Sequence, residues 1–477
     1  MERILNRTAK PGCLVAGIFT AHSSLIAHHL KHLVMRSTCA VILFALVLFL
    51  SSSCKKADFH TPPKKYPADV AVAWMKLHIQ LTLTTPNFNS VVSDRSFGYA
   101  GLTLYESIAA GVGEGESFLP LLSGAPVLDA PKNRVLFWPA AMNSAMALIT
   151  KDLFGNATPA GLASIDSLED LFNGQFQGTV GATDLKNAVE YGQSVAAAIF
   201  DWSKTDGGDQ AYLHITFPDY VPPVGEGLWI PTPPAFGPPV HPYWGKNRSF
   251  VPDIVAKTPQ NPPTPYSTDV QSPFYAMVNE LYTLSLSLSS TDSTTARIWA
   301  DNVPGNLNVP AHATNILTQL VVLNKLDLES AARAYARHSM AMYDASISVF
   351  HAKYQYNLLR PISYIRNVMG HTSWNSVVPT PPHPEYTAAH AVISGASAAV
   401  LEAIFGKHYA FTDHTYDKGY GARTYSSFDD YAKEAARARI LGGLHYSPSL
   451  ALGLAQGRKV GELELALIPG ARSSMAK

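Results

Sequence analysis

Apolar residues recur at three- and four-residue spacing along most of this 477-residue chain, and no long run alternates apolar with polar side chains. A helix buries a stripe and a strand buries a face, so the pattern commits the chain to an all-helical fold. The spacing predicts helices over 68–111 with a break near Pro86, then over 140–153, 162–172 and 182–202. A second series follows over 273–290, 293–302, 312–323, 328–350, 384–405 and 431–445. Hydrophobic residues make up 47% of the sequence, enough for the large core such a fold needs and too many for a disordered chain.

Between the two series the texture changes. From Phe217 to Ser272 the chain carries Pro-Pro pairs beginning at Pro222, Pro233, Pro238 and Pro262, interleaved with Trp229, Phe236, Tyr243 and Trp244. A flexible linker would be polar. Aromatic side chains need a surface to pack on, so 217–272 is read as an ordered flap or funnel over a site. One internal match links the halves: Arg95 is followed at ten and eleven residues by Tyr105 and Glu106, and Arg333 at the same offsets by Tyr343 and Asp344. This points to two related helical bundles.

The N-terminal end has its own logic. An apolar stretch from Val41 to Leu50, preceded by Met35-Arg36, is short for a membrane span and suits the core of a signal peptide. It runs into Ser51-Ser52-Ser53-Cys54-Lys55-Lys56, which resembles a bacterial lipoprotein processing site. The expected organisation is an over-extended start over 1–34, a signal peptide over 35–53, a lipidated Cys54 opening a tether over 54–66, and one helical domain over 67–477. The protein is then exported and lipid-anchored to the bacterial cell envelope, touching the membrane through its lipid alone. Cys13, Cys39 and Cys54 are the three cysteines, so the mature domain has no disulfide and is held by packing. Lys plus Arg balance Asp plus Glu at 36 each, which removes the basic excess that nucleic-acid binding requires. Any anion site is therefore local.

Three blocks between 350 and 450 carry the chemistry. Lys353 and Arg360 stand seven residues apart, about two helical turns, before Pro361 breaks the helix. His383-Pro-Glu-Tyr-Thr-Ala-Ala-His390 leads into an Ala-rich helix, whose opening turn presents unpaired N–H groups and a positive dipole end. Arg439 and His445 flank Gly442-Gly443. Six residues on an ideal helix would put them on different faces, but the glycine pair permits a local deformation.

In order and internal spacing the three blocks resemble the signature of the superfamily that joins vanadium-dependent haloperoxidases with type 2 phosphatidic acid phosphatases. That signature is matched by Lys353, Arg360, Pro361, His390, Arg439 and His445. The resemblance implies two packed helical bundles and a vanadate cofactor held by Lys353, Arg360, Arg439 and the Ala389 N–H. His445 would be the metal ligand, with His390 and Lys353 acting on hydrogen peroxide. The product would be hypohalous acid, passed to a small organic acceptor. The same resemblance implies that His383 would occupy a halide-selectivity position favouring bromide or iodide, and that Asp301 is a candidate for orienting His390. The sequence departs from the signature at Thr387, Ala388 and Ala438, so a hydroxyl donor is missing. Ser449 stands where phosphatase members carry Asp, so His445 needs another orienting group. Two alternatives share the pocket: a phosphomonoesterase working through a phosphohistidine at His445, and a non-catalytic oxyanion-binding surface lipoprotein.

Overall fold

The computed structural model describes residues 61–113, 116–129, 136–301, 303 and 305–469. The readings of 1–34, of the signal peptide and of Cys54 lie outside the described residues. Residues 61–66 of the expected tether are already packed: Pro63–Lys65 forms a 3-10 turn, and the Tyr66 carbonyl accepts from the Leu328 N–H at 2.9 Å.

The fold is helical, as its spacing requires. The first bundle holds α1 (Asp69–Thr84), α2 (Ser90–Val112), α3 (Trp138–Leu153), α4 (Pro159–Phe176) and α5 (Ala182–Ser203). The short α6 (Ile254–Lys257), α7 (Pro273–Ser285) and α8 (Ser290–Ile298) lead into the second. There α9 (Val309–Leu323), α10 (Leu328–Tyr356), α11 (Pro361–Asn367), α12 (Ala389–Phe405), α13 (Phe428–Leu441) and α14 (Ser447–Leu465) follow in order. The described strands are two three-residue pieces, β1 (Phe411–Asp413) and β2 (Arg423–Tyr425), paired antiparallel. Several boundaries differ from the spacing: α10 runs past 350 through Lys353, α12 opens at Ala389 rather than 384, α7 stops at Ser285 rather than 290, α8 spans Ser290–Ile298 rather than 293–302, and α13 ends at Leu441 rather than 445; α14 was not anticipated. No described helix is long and apolar enough to cross a membrane.

The bundles meet along α2 and α10, and the internal sequence match becomes physical there. Arg95 Nε and the Tyr343 hydroxyl converge on Asp206 Oδ2, at 2.8 and 2.9 Å. In the reciprocal arrangement Arg333 reaches Glu116 Oε2 at 3.1 Å while the Tyr105 hydroxyl donates to the Glu116 carbonyl at 2.9 Å. Glu106 accepts the Phe118 N–H and the Ser117 hydroxyl, both at 2.7 Å. Asp344 likewise accepts the Phe250 and Val251 N–H groups at 2.8 and 2.7 Å. Each related helix thus donates its arginine toward the other's tyrosine and clamps a loop with its acid.

Within the second bundle α12 lies almost backbone to backbone on α14. A Cβ built on Gly457 would fall 1.9 Å from the Val392 carbonyl oxygen, and Gly453 and Gly461 are nearly as crowded. Only the absence of side chains lets the helices approach so closely. We expect Gly457→Ala to lower stability by about 2 kcal/mol or more, in the manner of overpacked cores, read as a lower Tm; an unchanged Tm would contradict this packing.

Burial also pushes three core carboxyls upward, Glu106 and Asp344 to about 7 and Glu464 to about 8. Their folded pKa values exceed the unfolded ones, so their contribution is complete below about pH 4 and is lost as pH rises through 7 to 8, with a slope up to about 1.4 kcal/mol per unit each. Accordingly Glu464→Gln should raise Tm relative to the parent more at pH 8 than at pH 5, and equal shifts at both pH values would reject the assignment.

Candidate active site

Each functional side chain reaches the site because a helix ends or begins there. Lys353 lies in the last turn of α10, which stops at Asn357 in a left-handed conformation, φ 47°. Arg360 is the N-cap of α11 with Pro361 in its first turn. The two cations therefore converge across a non-helical connector instead of sharing one helix face. The 217–272 segment straps that connector: the Trp229 N–H donates to the Asn357 carbonyl at 2.6 Å and the Leu359 N–H to the Gly227 carbonyl at 2.9 Å. Arg439 sits in the last turn of α13; Gly443, φ 78°, then swings the chain so that His445 leaves the helix and returns to the cluster. His390 follows Ala389 in the first turn of α12, whose N-cap Ala388 provides no side-chain acceptor.

The bonds around these residues fix their states. Glu385 Oε1 accepts from His445 Nδ1 at 2.9 Å and from the Tyr446 N–H at 3.0 Å, while Ser449 Oγ donates to Oε2 at 2.7 Å. Burial pushes this carboxyl up, against the opposing effects of Ser449, Lys353 and Arg360. With Nδ1 holding the proton, His445 Nε2 is bare, and Arg360 donates to it at 3.1 Å. Burial, then Arg360, Lys353 and Arg439, hold His445 well below its ordinary pKa, so the ring is neutral.

His390 Nε2 lies 2.9 Å from the Trp299 carbonyl and 3.0 Å from Asp301 Oδ1. Both partners accept, so the free nitrogen is Nδ1. Burial and Arg439 lower the His390 pKa and Asp301 opposes them. Asp301 accepts in turn from the Ser90 hydroxyl at the start of α2. The Trp299 carbonyl also takes Arg439 at 2.7 Å. Its indole is pinned from behind, stacked on His312 at 4.4 Å and donating to Glu434 at 3.2 Å. His383 accepts Arg360 at Nδ1, 3.0 Å, and its ring sits 5.3 Å from that of Phe350.

Lys353 is already hydrogen-bonded to backbone. Its ammonium donates to the carbonyls of Pro384, Glu385 and Thr387 at 3.1, 3.0 and 2.6 Å. All three hydrogens are used, so direct donation to a bound oxyanion would exchange one of these bonds. The Thr387 hydroxyl holds the same loop from the other side, through Gln456 at 2.6 Å to Ser348 at 2.8 Å.

Charge decides what the site can take. Lys353, Arg360 and Arg439 are buried against two carboxylates, Glu385 and Asp301. Burial, first of all, depresses the pKa of each cation, Arg360 and Arg439 to about 10. Arg439 Nε is buried with no partner, and the opening N–H groups of α12 face the same region. Buried arginines, an orphaned guanidinium N–H on Arg439 and a helix N-terminus fit an oxyanion such as vanadate. His390, Arg439, His445, His383 and Ala389 line a cavity of about 560 Å³. Val240 and His241 of the proline-rich segment form part of its wall.

Sequence reasoning missed Glu385, Trp299, Ser90 and Gln456. Glu385 had one signal, an acid inside a block where His445 lacked its Asp; the others act through a carbonyl or from distant helices and leave no spacing.

A family model described as the second helical-bundle domain of a vanadium chloroperoxidase matches residues 333–469. No protein of curated function matches the chain. Among solved structures, the first bacterial vanadium-dependent iodoperoxidase is similar at 29% identity and TM-score 0.75, covering 84% of this chain and 97% of that one. The holo form of a bacterial vanadium-dependent chloroperoxidase is similar in fold at 16% identity and TM-score 0.63, covering 81% and 93%. The apo form of a bacterial vanadium-dependent chloroperoxidase gives 15% and 0.61, covering 85% and 96%.

Orthophosphate or orthovanadate at about a hundred times its Kd should stabilise the protein by about 2.7 kcal/mol, and Arg439→Leu should abolish the gain in Tm. No shift in the parent protein would mean that the cavity takes no oxyanion.

Proposed function

We propose, from the premise that this chain belongs to the vanadium-dependent haloperoxidase family, that it oxidises iodide or bromide with hydrogen peroxide to hypohalous acid. The hypohalous acid is then consumed by a small organic acceptor. One observation carries the reading: a neutral His445, its Nδ1 locked on Glu385 and its unprotonated Nε2 beside Arg360, lines the same cavity as Arg439. Similarity to an iodoperoxidase over most of both chains supports haloperoxidase function, and His383 on the cavity wall supports the heavier halides.

Vanadate, when bound, supplies a Lewis-acidic centre that activates peroxide toward halide without electron transfer to the metal. The residues of this chain do the rest. His445 would ligate through Nε2, and Arg439, Arg360 and the Ala389 N–H would hold oxyanion oxygens. Arg360, which donates to Nε2 in the structure, is already beside that ligand. His390 would accept and return a proton at Nδ1, since Asp301 and the Trp299 carbonyl keep the other nitrogen as the donor. Lys353 acts mainly through its charge, and its three carbonyl bonds keep the 384–387 loop in place under Arg360. Ala388 leaves the oxyanion without a hydroxyl donor, which favours a slower enzyme over an altered reaction class.

The test is halogenation of a phenol dye by the orthovanadate-loaded protein with peroxide and iodide or bromide, beside hydrolysis of a nitrophenyl phosphate. We expect vanadate-dependent halogenation, its loss in His445→Ala, and about a 10- to 100-fold loss of vanadate affinity in Glu385→Gln, as for other groups that orient a metal-bound histidine. Phosphate ester hydrolysis inhibited by vanadate, with no halogenation, would overturn the proposal.

A further inference from the structure

The cavity is larger than an oxyanion needs, and part of its wall carries no cation. There Asn89 from α2, His241 from the proline-rich segment, and Phe350 from α10 come together beside His383. Asn89 is the N-cap of α2, and its Oδ1 accepts the Val92 N–H. That bond settles which end of the amide is oxygen, because the reverse orientation would set two donors against each other. Asn89 Nδ2 therefore faces His241 Nε2, at 2.8 Å. An amide NH2 donates only, so Nε2 must accept, and the proton of the ring lies on Nδ1. Burial holds the His241 pKa down at about 4, so the ring is neutral.

His241 Nδ1 makes no hydrogen bond to a described residue. The residue is 2% exposed and lines the cavity, so this N–H is a donor on the cavity wall. The backbone is held to keep it there. His241 occupies the left-handed region at φ 52°, a conformation that costs energy outside glycine. Its N–H donates to the Ile215 carbonyl at 2.9 Å and its carbonyl accepts from the Trp244 N–H at 3.1 Å. The imidazole stands at 73° to the Phe350 ring with centroids 6.4 Å apart, and Phe350 continues to His383.

A single neutral donor set beside aromatic rings cannot repay the dehydration of a small, strongly hydrated anion. It can hold a large, polarisable, weakly hydrated one. We propose that the Nδ1–H of His241, with the Phe350 ring, forms a docking site for iodide, and more weakly bromide, and that His241 sets the halide preference of the chain. This rests on the haloperoxidase reading for its consequence in turnover, but halide binding at His241 does not require it.

Two measurements test the site. Crystals of the vanadate-free protein in iodide should show an anomalous peak within hydrogen-bonding reach of His241 Nδ1, absent in His241→Phe. In the vanadate-loaded enzyme, His241→Phe should raise the KM for iodide about tenfold while leaving the KM for peroxide and the vanadate affinity within twofold. His241→Asn, which tolerates the left-handed backbone and keeps a neutral donor, should recover most of the loss. An iodide peak without any halogenation would support the docking site and refute the function. Halogenation with no peak, or an unchanged iodide KM in His241→Phe, would overturn the docking site and leave the function standing. If His241→Phe fails to fold, the parent crystal and His241→Asn decide the question.

Discussion

The second bundle answers to one constraint: three cations, Lys353, Arg360 and Arg439, are taken out of water beside the carboxyl groups of Glu385 and Asp301. Desolvating a charge is expensive unless it is paired or hydrogen-bonded. The chain meets this with backbone. Lys353 spends all its hydrogens on carbonyls of 384–387, Arg360 adds those of His383 and Leu444, and Arg439 takes that of Trp299. The loops that carry the histidines are thus held in shape by the charges they surround. Burial holds the pKa of each cation down, and Arg439 is the one of the three that lines the cavity.

The scaffold tolerates this because its helices are fixed closely. Gly453, Gly457 and Gly461 let α14 seat α12 against it, which places the opening turn of α12 and His390 relative to Glu385 and Ser449. Gln456, on the same helix, ties Thr387 to Ser348 of α10. A polar side chain between three apolar surfaces is affordable only when satisfied, and here every partner is another part of the site's frame.

Much of this was legible in the sequence. Helical period, the three blocks and their order are local signals, and the Arg-Tyr-acid match led directly to the crossed pairs on Asp206 and Glu116. The segment 217–272, read from its aromatic content as a flap, contributes Val240 and His241 to the cavity wall, while Phe236 is exposed. What escaped was whatever acts through backbone or across distance. Glu385 serves a histidine sixty residues away, Trp299 contributes its carbonyl, and Asn89 matters because a cap fixes the orientation of its amide. Helix ends also escaped where capping, not periodicity, decides them: Asn357 stops α10 with a left-handed turn, and α12 waits until Ala389 because the segment before it is bound to Lys353.

The first bundle lacks the signature blocks of the second, and on sequence alone it could pass for inert duplicate scaffolding. Its helix α2 nevertheless begins at the rim of the cavity, where Asn89 reaches His241 and Ser90 reaches Asp301. The two bundles thereby divide the labour: one carries the charged chemistry, and the other fixes the protons that His241 and, through Asp301, His390 present. The partners of the two residues at the start of α2, His241 and Asp301, both lie outside residues 333–469, so the contacts that tie the first bundle to the cavity fall outside the span the family model matches.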